Sequence, residues 1–393
     1  MKIAIYHNLP HGGAKRATFE WVKRLCKNHY VDLFVIDDIA EEFLSMKEIV
    51  RKFDIFSKKT ISSSGQFTRF ISLAKIWFYS IKIAKSINKG EYDIALVFQC
   101  HVTNAPPVLK YLKIPSLFIC HEPLARMFEP HYKNQSKNIF FSILRTVAIK
   151  IFIALEKMNS SYATRICTSS LYSIETLYKY FGKYPKLLYP GVDPEYFKPG
   201  KEKRQNAILS VGHLSSSKGH EFIIKSIGCI KGKKPKLIIV HKLEHHRYNY
   251  RKILQNIAIE NNVEVEFYSS LSDKELSKLY HQCKITLCGY HLEPLGLIAL
   301  ESLASGTPVI SVAEAGLRET VIHKKTGLLI ERDEEIFGYA IAGLLKNTQL
   351  RKRMAFQGRQ EILKHWNWGQ SHQKLEVILN KTTQVFSLGE SKI

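Results

Sequence analysis

The sequence predicts an α/β protein built from two doubly wound, Rossmann-like domains. Short runs rich in Val, Ile and Leu alternate with helical patterns along the 393 residues. Parallel sheets that are covered by helices on both faces require such near-continuous apolar strands. The chain length also favours two or three domains. A segment rich in Pro, Gly and charge at 189–206 precedes a fresh apolar run, and we place the domain boundary there.

Ten apolar runs are predicted to be strands. The first half contains KIAIY, VDLFVI, DIALVF, SLFICH and RICTSS, and the second half contains AILSVG, KLIIVH, VEVEFY, ITLCGY and PVISV. We therefore expect one domain at 1–190, a second at 191–368, and a closing helix and tail at 369–393 that packs back toward the first. Ligands of open α/β sheets bind outside the carboxyl ends of the strands, and two such domains facing across a cleft would form a site there.

The composition limits the protein class and the partners. The 58 Lys and Arg against 35 Asp and Glu give a formal charge of +23, which attracts polyanions such as nucleic acid, anionic lipid or phosphorylated substrates. The alternative is that the excess lysines are merely solvated. Seven cysteines without a C-x-x-C pair predict neither a disulfide framework nor a thiolate zinc site, and favour the cytoplasm. Adjacent Cys-His pairs at 100–101 and 120–121 lack the usual ligand spacing, so we expect no metal.

No signal peptide or membrane span is predicted. The N-terminal apolar run is too short for a signal peptide and suits a first strand. The longest apolar stretch, at 139–157, contains Arg145 and Lys150, and charges at mid-depth disfavour a spanning helix.

Two loops that follow strands carry candidate phosphate-binding groups. Gly12 and Gly13 follow the first strand and precede a helix, where backbone N–H groups can approach a phosphate; an ordinary tight turn explains them equally well. In the second half, Lys218 precedes a predicted helix start at Gly219. A lysine is unfavourable beside a helix N-terminus unless an anion binds between them; a solvated lysine is the alternative.

The apolar helix predicted at 295–304 contains a carboxylate, Glu301, and Glu293 stands at its beginning. Residues 293, 297 and 301 are four apart, which places them along one edge of a helix. Glu293 could be a capping group and Glu301 the partner of a Lys or Arg. Alternatively, both carboxylates accept hydrogen bonds from sugar hydroxyls, Glu301 from a ribose and Glu293 from a hexose, because an unpaired buried charge costs several kcal/mol, on the order of 3 to 5.

Three segments resemble the retaining glycosyltransferases of family GT4, which have the GT-B fold. They are LLYPGVDPEYFKP at 187–199, GHLSSSKGH at 212–220, and EPLGLIALESLASGTPVISVAEAGLRETVIHKKTGLLI at 293–330. The resemblance extends from the first strand to the tail. It implies an N-terminal acceptor-binding domain and a C-terminal domain that binds a nucleotide sugar, either UDP- or GDP-hexose.

The resemblance also implies roles for individual residues. Glu293 would hold hydroxyls of the transferred sugar and Glu301 the ribose, while Lys218 would neutralise the diphosphate. His121, in the FICHEP segment, matches the histidine that the family places near the reacting sugar. The remaining nucleotide-sugar contacts would be backbone groups at Leu295, Gly296, Leu297, Gly12 and Gly13, with Gly13 closing over the diphosphate from the other domain.

One departure from the family concerns His213, which stands where relatives usually have arginine. Histidine titrates near neutrality, whereas arginine is permanently charged. Donor binding could therefore weaken as the pH rises, or another cation could substitute.

A basic, aromatic segment at 66–89 suggests where the acceptor comes from. It mixes Phe67, Phe70, Ile71, Ile76, Trp77 and Phe78 with Arg69, Lys75, Lys82, Lys85 and Lys89. Such a helix suits an anionic membrane surface, and a core-packing helix with a lysine face is the alternative. The leading hypothesis is a retaining, metal-independent hexosyltransferase, of mannose or glucose type, acting on a lipid-linked or surface-polysaccharide acceptor. The alternatives are an enzyme of the same fold with a soluble acceptor, of sucrose- or glycogen-synthase type, and a basic nucleic-acid-binding protein, for which no recognition motif is present.

Overall fold

The computed structural model describes residues 1–9, 11–57, 66–123, 139–201, 203–242 and 248–388. These residues form two compact units, one consisting of Met1–Pro190 and Trp368–Ile393, the other of Gly191–Asn367. In the second helix of the first unit, side chains are described from residue 71 onward, so the predicted membrane contacts of Phe67, Arg69 and Phe70 lie outside the described residues.

The first unit contains a seven-stranded parallel sheet in the order β3-β2-β1-β4-β5-β6-β7. Its strands are β1 (Lys2–Asn8), β2 (Tyr30–Val35), β3 (Lys52–Ile55), β4 (Ile94–Cys100), β5 (Ser116–Ile119), β6 (Arg165–Thr168) and β7 (Lys186–Leu187). Its helices are α1 (Gly13–Leu25), α2 (Gln66–Lys89), α3 (Val108–Tyr111), α4 (Ile139–Ser160), α5 (Leu171–Phe181) and α13 (Trp368–Ser387).

Alternate residues of β1 show how this sheet is covered on both faces. Ile3 and Ile5 pack with buried side chains of α1 and α13. Ala4 and Tyr6 face the other side, where they pack with residues of α2, α3, α4 and α5. Because successive side chains of a strand point to opposite faces, one apolar run is buried twice, which explains its near-continuous hydrophobicity.

The second unit repeats this plan with a six-stranded parallel sheet in the order β10-β9-β8-β11-β12-β13. Its strands are β8 (Ala207–Val211), β9 (Lys236–His241), β10 (Val265–Ser269), β11 (Ile285–Cys288), β12 (Val309–Val312) and β13 (Gly327–Ile330). Its helices are α6 (His220–Gly228), α7 (Tyr248–Glu260), α8 (Asp273–Gln282), α9 (Leu297–Ala304), α10 (Leu317–Thr320), α11 (Glu334–Lys346) and α12 (Thr348–His365).

All ten predicted strands are present, and the prediction of two doubly wound α/β domains is confirmed. The three strands that were not predicted, β3, β7 and β13, each lie at the edge of a sheet. Edge strands are partly exposed and do not need an apolar side chain at every position, so they lack the pattern that identifies central strands. Across the described residues, no helix combines the length and the apolar character needed to cross a membrane.

Candidate functional site

The lysine and the first glutamate singled out in the sequence contact each other in the second unit. Lys218 ends a short 3-10 helix, Ser216–Lys218, between β8 and α6. Its Nζ lies 2.7 Å from Oε2 of Glu293 and 4.7 Å from the ring centre of Tyr290. The Lys218 and Glu293 side chains retain 24% and 22% exposure. The alternative of a solvated lysine is therefore wrong, because this ammonium group is held by an anion and an aromatic face.

Two close contacts fix the loop that carries Lys218. Gly219 has a left-handed backbone with φ 64°, and a Cβ built on it would lie 1.8 Å from the carbonyl oxygen of Gly289. Only glycine fits this position. Tyr290 is buried, and its hydroxyl group donates a hydrogen bond to the carbonyl oxygen of Val211 at the end of β8. The ends of β8 and β11 are thus connected directly beneath the lysine.

The segment that carries Glu293 is held by an arginine and a glycine. The guanidinium group of Arg332 donates hydrogen bonds to the carbonyl oxygens of Gly289 (2.9 Å) and Tyr290 (2.6 Å) and to the carboxylate of Glu314 (2.6 and 2.9 Å). The N–H of Gly316 donates to the carbonyl oxygen of Glu293 at 3.0 Å. A Cβ at Gly316 would lie 1.9 Å from the carbonyl oxygen of Pro294, so this turn requires glycine as its neighbour.

The prediction that Glu293 and Glu301 share one edge of a helix is wrong. Helix α9 begins only at Leu297, because Gly296 adopts a left-handed conformation with φ 89° and interrupts the preceding segment. A Cβ at Gly296 would lie 2.5 Å from the side chain of Leu317, so the chain turns where a side chain would clash. Glu293 precedes the helix and Glu301 lies inside it. In the first turn of α9 the N–H of Ala299 donates a hydrogen bond to the carbonyl oxygen of Gly296 at 3.0 Å, whereas the N–H of Leu297, the first helical residue, has no acceptor within the helix.

Glu301 is buried, with 7% of its surface exposed. Its Oε2 accepts a hydrogen bond of 2.9 Å from the hydroxyl of Tyr280, a fully buried residue of α8. Burial and the nearby Glu301 carboxylate raise the pKa of Tyr280 well above its ordinary value, so the tyrosine stays neutral and donates. The partner observed here is thus a neutral hydroxyl group, the type of donor that a ribose also offers.

In the first unit, the Gly12–Gly13 turn leads from β1 into α1. Gly12 caps the helix with φ 149°, and a Cβ at this position would meet no atom within 4 Å. The space around this helix N-terminus is therefore open, and its first turn contains Lys15 and Arg16 but no acidic residue. A helix N-terminus favours an anion nearby, but Lys15 is fully buried and pairs with Glu41 at 2.6 Å, so this preference comes from the backbone N–H groups and not from Lys15.

His121 follows β5 and stacks on Trp21 of α1. The two ring centres are 6.2 Å apart, and the planes differ by 6°. Trp21 is fully buried and its Nε1 donates a 2.8 Å hydrogen bond to Oγ of Ser371 in α13. Burial lowers the pKa of His121 to about 4, so the ring is neutral at pH 7. Its Nε2 is buried and has no hydrogen-bond partner among the residues that the structure describes.

Several of the predicted site residues lie close together in the second unit. Lys218 and Glu293 are in contact, and Leu295, Gly296, Leu297 and Glu301 follow in the adjoining turn and helix. His213 lies half-buried two residues after β8, and its carbonyl oxygen accepts a hydrogen bond from the N–H of Ser215 at 2.9 Å. Tyr280, Tyr290 and Arg332 were not predicted. Arg332 lies just beyond an edge strand. All three residues act through contacts with distant parts of the chain, which hydrophobic periodicity and local motifs do not specify.

The chain is similar to known glycosyltransferases and to a spore coat protein. Residues 192–361 match the family described as Glycosyl transferases group 1. Spore coat protein SA of Bacillus subtilis is 24% identical over 308 residues, a match that covers 70% of this chain and 80% of that protein. Alpha-1,3/1,6-mannosyltransferase ALG2 of Mus musculus is 24% identical over 339 residues and covers 77% of both chains.

Solved structures with the same fold extend over nearly the whole chain. Sucrose-phosphate synthase from Thermosynechococcus elongatus has a TM-score of 0.79 at 18% identity and covers 99% of this chain and 100% of that one. Anabaena HepE in complex with UDP and glucose has a TM-score of 0.74 at 17% identity, covering 97% and 100%. The family resemblance and the GT-B fold expected from the sequence are thus confirmed: residues 192–361 match the group 1 glycosyltransferases, and the chain has the fold of these solved structures.

Proposed function

We propose that the protein transfers a hexose, of mannose or glucose type, from a UDP- or GDP-linked donor to a lipid-linked or surface-polysaccharide acceptor, with retention at the anomeric carbon. The observation that carries this proposal is the ammonium group of Lys218, held 2.7 Å from Glu293 three residues before the turn into α9. ALG2 is named as a mannosyltransferase, HepE was solved with UDP and glucose, and another fold neighbour, WaaG, is described as involved in lipopolysaccharide biosynthesis.

In this proposal the diphosphate of the donor takes Glu293's place beside Lys218. The ammonium group and the backbone N–H groups at 295–297 then stabilise the departing diphosphate charge, so no metal ion is required. His213 would add a titratable donor where relatives have arginine, and the Gly12–Gly13 turn would offer backbone N–H groups to a phosphate. Glu293, released from the lysine, would accept hydrogen bonds from hydroxyls of the hexose. Glu301 would accept them from the ribose.

The proposed transfer step is a front-face displacement. An acceptor hydroxyl oxygen forms a bond to the anomeric carbon while the bond from that carbon to the phosphate oxygen breaks. The hydroxyl proton passes to the departing phosphate oxygen, so the products are a glycoside and a nucleoside diphosphate. Neutral His121 would orient and stabilise the reacting sugar rather than act as a strong base, because its pKa of about 4 makes it a weak proton acceptor at pH 7.

The first experiment is a thermal-shift panel with UDP, GDP, ADP, UDP-glucose and GDP-mannose, followed by donor hydrolysis assays. Ligands that bind only the folded state raise the melting temperature, and we expect one diphosphate and its sugar nucleotide to do so. A melting temperature that none of these compounds changes at millimolar concentration would refute donor binding.

The two glutamates are distinguished by their expected kinetic effects. Glu301→Ala should weaken nucleotide binding more than Glu293→Ala, because a nucleotide without the hexose still carries the ribose that Glu301 would contact. Glu293→Ala should lower turnover more, because its hydroxyl contacts form on the transferred sugar. Glu319→Ala, at an acidic position of the neighbouring α10, is the matched control. The reverse order for the two glutamates would overturn their assignment.

We also propose that the enzyme is cytoplasmic and contacts the inner face of an anionic membrane through α2. Ile76, Ile83, Ala84 and Ile87 of this helix are buried in the core. The opposite face is exposed and consists of Ile71, Lys75, Phe78, Lys82, Lys85 and Lys89. Nζ of Lys82 lies 4.4 Å above the Phe78 ring. The helix therefore has both a core-packing face and a basic face that carries exposed apolar side chains, the composition that binds anionic lipid surfaces.

Helix α4 supports the same surface. Ile143, Val147 and Ile151 are four residues apart and are 57%, 49% and 42% exposed. Helices α2 and α4 cover the same face of the first sheet, so their outer sides face the same way. Trp77 does not belong to this surface, because it donates a hydrogen bond to Tyr111 of α3 at 2.7 Å.

Co-sedimentation with anionic and neutral vesicles tests the membrane proposal. Replacing Lys75, Lys82, Lys85 and Lys89 by Gln should abolish binding to anionic vesicles, because each lysine near such a surface contributes about 1 kcal/mol. The control replaces Lys274, Lys278, Lys346 and Lys352, four exposed lysines of the second unit, and changes the net charge equally. Equal binding to neutral vesicles, or an equal loss in the control, would contradict the proposal and favour a soluble acceptor.

A further inference from the structure

A buried polar network surrounds the backbone of His121 and is not explained by packing. Gln99 lies near the end of β4, Asn104 in the following turn, and Glu156 on the inner side of α4. They are 6%, 8% and 0% exposed. An apolar side chain would fill these positions at lower cost, because burying a carboxylate requires full compensation by hydrogen bonds.

The contacts of the network converge on two backbone groups, the N–H of His121 and the carbonyl oxygen of Glu122. Oε1 of Gln99 accepts a hydrogen bond from the N–H of His121 at 3.0 Å. The carbonyl oxygen of Glu122 accepts two hydrogen bonds, from Nε2 of Gln99 at 2.9 Å and from Nδ2 of Asn104 at 2.7 Å. Gln99 also donates to Oδ1 of Asn104, and Asn104 donates to the carboxylate of Glu156. The amide groups are thereby fixed in one orientation.

Asn104 is itself held in an uncommon conformation. Its φ is 58°, in the left-handed region, and its backbone forms an antiparallel bridge with Cys100 through two hydrogen bonds of 2.8 Å. A non-glycine residue in this region costs about 1 kcal/mol or more and persists where the surroundings determine it. The turn therefore aims the Asn104 amide at the Glu122 carbonyl and the Glu156 carboxylate.

The His121 ring needs such support because its own contacts do not fix its lateral position over Trp21. The carbonyl oxygen of His121 accepts a hydrogen bond from Oγ of Ser173 at 2.9 Å, and the ring stacks on Trp21. Within the described residues, Nε2 has no protein partner. Stacking permits the ring to slide in its own plane, whereas the hydrogen bonds to the His121 N–H and the Glu122 carbonyl oxygen oppose that movement.

We infer that Gln99, Asn104 and Glu156 are positioning residues that set the location of His121 for sugar transfer. This inference rests on the function proposed above, in which His121 is close to the reacting sugar. The network acts through the backbone at 121–122 and contacts no substrate. A displacement of about 1 Å at a reacting centre can lower a rate by about 100-fold, so the loss of the network should appear in turnover.

The test compares Gln99→Leu, Glu156→Leu and Glu156→Gln in the full-length protein, with UDP-glucose and GDP-mannose as donors. We expect the two Leu variants to lower kcat about 10- to 100-fold, with donor KM and nucleoside diphosphate affinity changed less than about twofold. Glu156→Gln retains an oxygen that can accept from Asn104 and should keep at least about a third of the wild-type kcat. Thermal melting verifies that each variant is folded. If Glu156→Leu does not fold, Gln99→Leu alone provides the test.

A double-mutant cycle separates positioning from general structural damage. In a His121→Ala background, Gln99→Leu should lower kcat by less than about twofold, because two mutations that act through one group are not additive. The same 10- to 100-fold loss in both backgrounds would overturn this inference alone. A wild-type protein that transfers sugar from neither donor would overturn the proposed function, and this inference with it.

Discussion

The two units each contain a lysine–glutamate pair in which the lysine occupies an equivalent place in the fold. Lys15 and Lys218 both lie in the first turn of helical structure that follows the first strand of their unit. Their ammonium nitrogens are 2.6 Å from Glu41 and 2.7 Å from Glu293, respectively. The Lys15 and Glu41 side chains are 0% and 1% exposed, whereas the other pair keeps about a quarter of its surface.

This difference in exposure separates a structural pair from one that a ligand can reach. Glu41 also accepts hydrogen bonds from Nε2 of His7 at 2.9 Å and from Oγ of Ser45 at 3.1 Å, so its oxygens are surrounded by protein donors. The pair of Lys218 and Glu293 is open to solvent, and a diphosphate can replace the carboxylate without first opening the core. An ion pair after the first strand is therefore not by itself evidence of a binding site.

The largest expected effect is on the stability of the buried pair. Lys15→Met leaves Glu41 buried beside fewer compensating charges and should lower the free energy of unfolding by about 3 to 5 kcal/mol. Lys218→Met should cost about 1 kcal/mol or less, because its pair is partly solvated. Urea denaturation measures both.

The exposed pair between Lys47 and Asp38 provides a control within the first unit. Lys47→Met should change the free energy of unfolding by less than about 1 kcal/mol. If Lys15→Met and Lys218→Met were equally destabilising, the distinction between the two pairs would fail.

The second prediction concerns nucleotide affinity, for which Lys218→Met should have the larger effect and Lys15→Met the smaller. Lys218→Met should weaken binding of the preferred nucleoside diphosphate by about 10- to 100-fold, since a hydrogen bond to a charged group contributes about 1.5 to 3 kcal/mol. Lys15→Met should leave the affinity of the folded protein unchanged. Isothermal titration of both variants, with Lys225→Met on the neighbouring helix α6 as the control, tests this. A full loss in the control would indicate a general charge effect instead of a contact with Lys218.

The sequence predicts features that depend on neighbouring residues, and it does not predict contacts between residues that are far apart along the chain. Central strands were predicted because burial on both faces requires apolar residues at every position. Lys218 and Glu293 were identified because each lies in a short motif of residues that are consecutive in the sequence. Their mutual contact joins residues 75 apart, and no sequence pattern specifies it.

The buried groups of the first unit were missed for the same reason. Lys15 was not singled out from the sequence, and its partner Glu41 lies in another element. Helix α9 starts at Leu297 because Gly296 is left-handed, and the side chain of Leu317 leaves no room for a Cβ there, which also depends on tertiary packing. Helix boundaries and buried polar networks therefore required the three-dimensional structure.

The third prediction concerns pH and expects the same dependence in the two units. Burial and the charge of Lys15 lower the pKa of His7 from 6.5 to about 4, and burial lowers the pKa of His220, at the start of α6, by the same extent. Below pH 6.5 the unfolded chain binds protons at these positions that the folded protein does not. Stability is therefore complete above pH 6.5 and falls toward pH 4, by up to about 1.4 kcal/mol per pH unit for each histidine.

Urea denaturation between pH 7 and pH 4.5 measures this dependence. His7→Gln retains a side-chain N–H for Glu41 and should reduce the slope by about one proton, and His220→Gln should do the same. The Glu41 carboxylate does not contribute in this range, because its pKa is lowered to about 2 and its stabilisation is lost only as the pH falls below 4.5. An unchanged slope in both histidine variants would contradict the prediction.

The smallest expected effect distinguishes Gly12, in a turn of the first unit, from Gly343, in a helix of the second unit. Gly12→Ala introduces a side chain at φ 149° but into open space, so it should cost about 1 kcal/mol of stability. Gly343→Ala, in the interior of α11 and also without a neighbour within 4 Å, should instead stabilise by about 0.5 to 1 kcal/mol. Because Gly12→Ala disturbs no packing, any loss of donor affinity beyond about twofold would report that a phosphate approaches this backbone. Unchanged affinity would restrict Gly12 to the role of a turn, and donor recognition would then rest on the second unit.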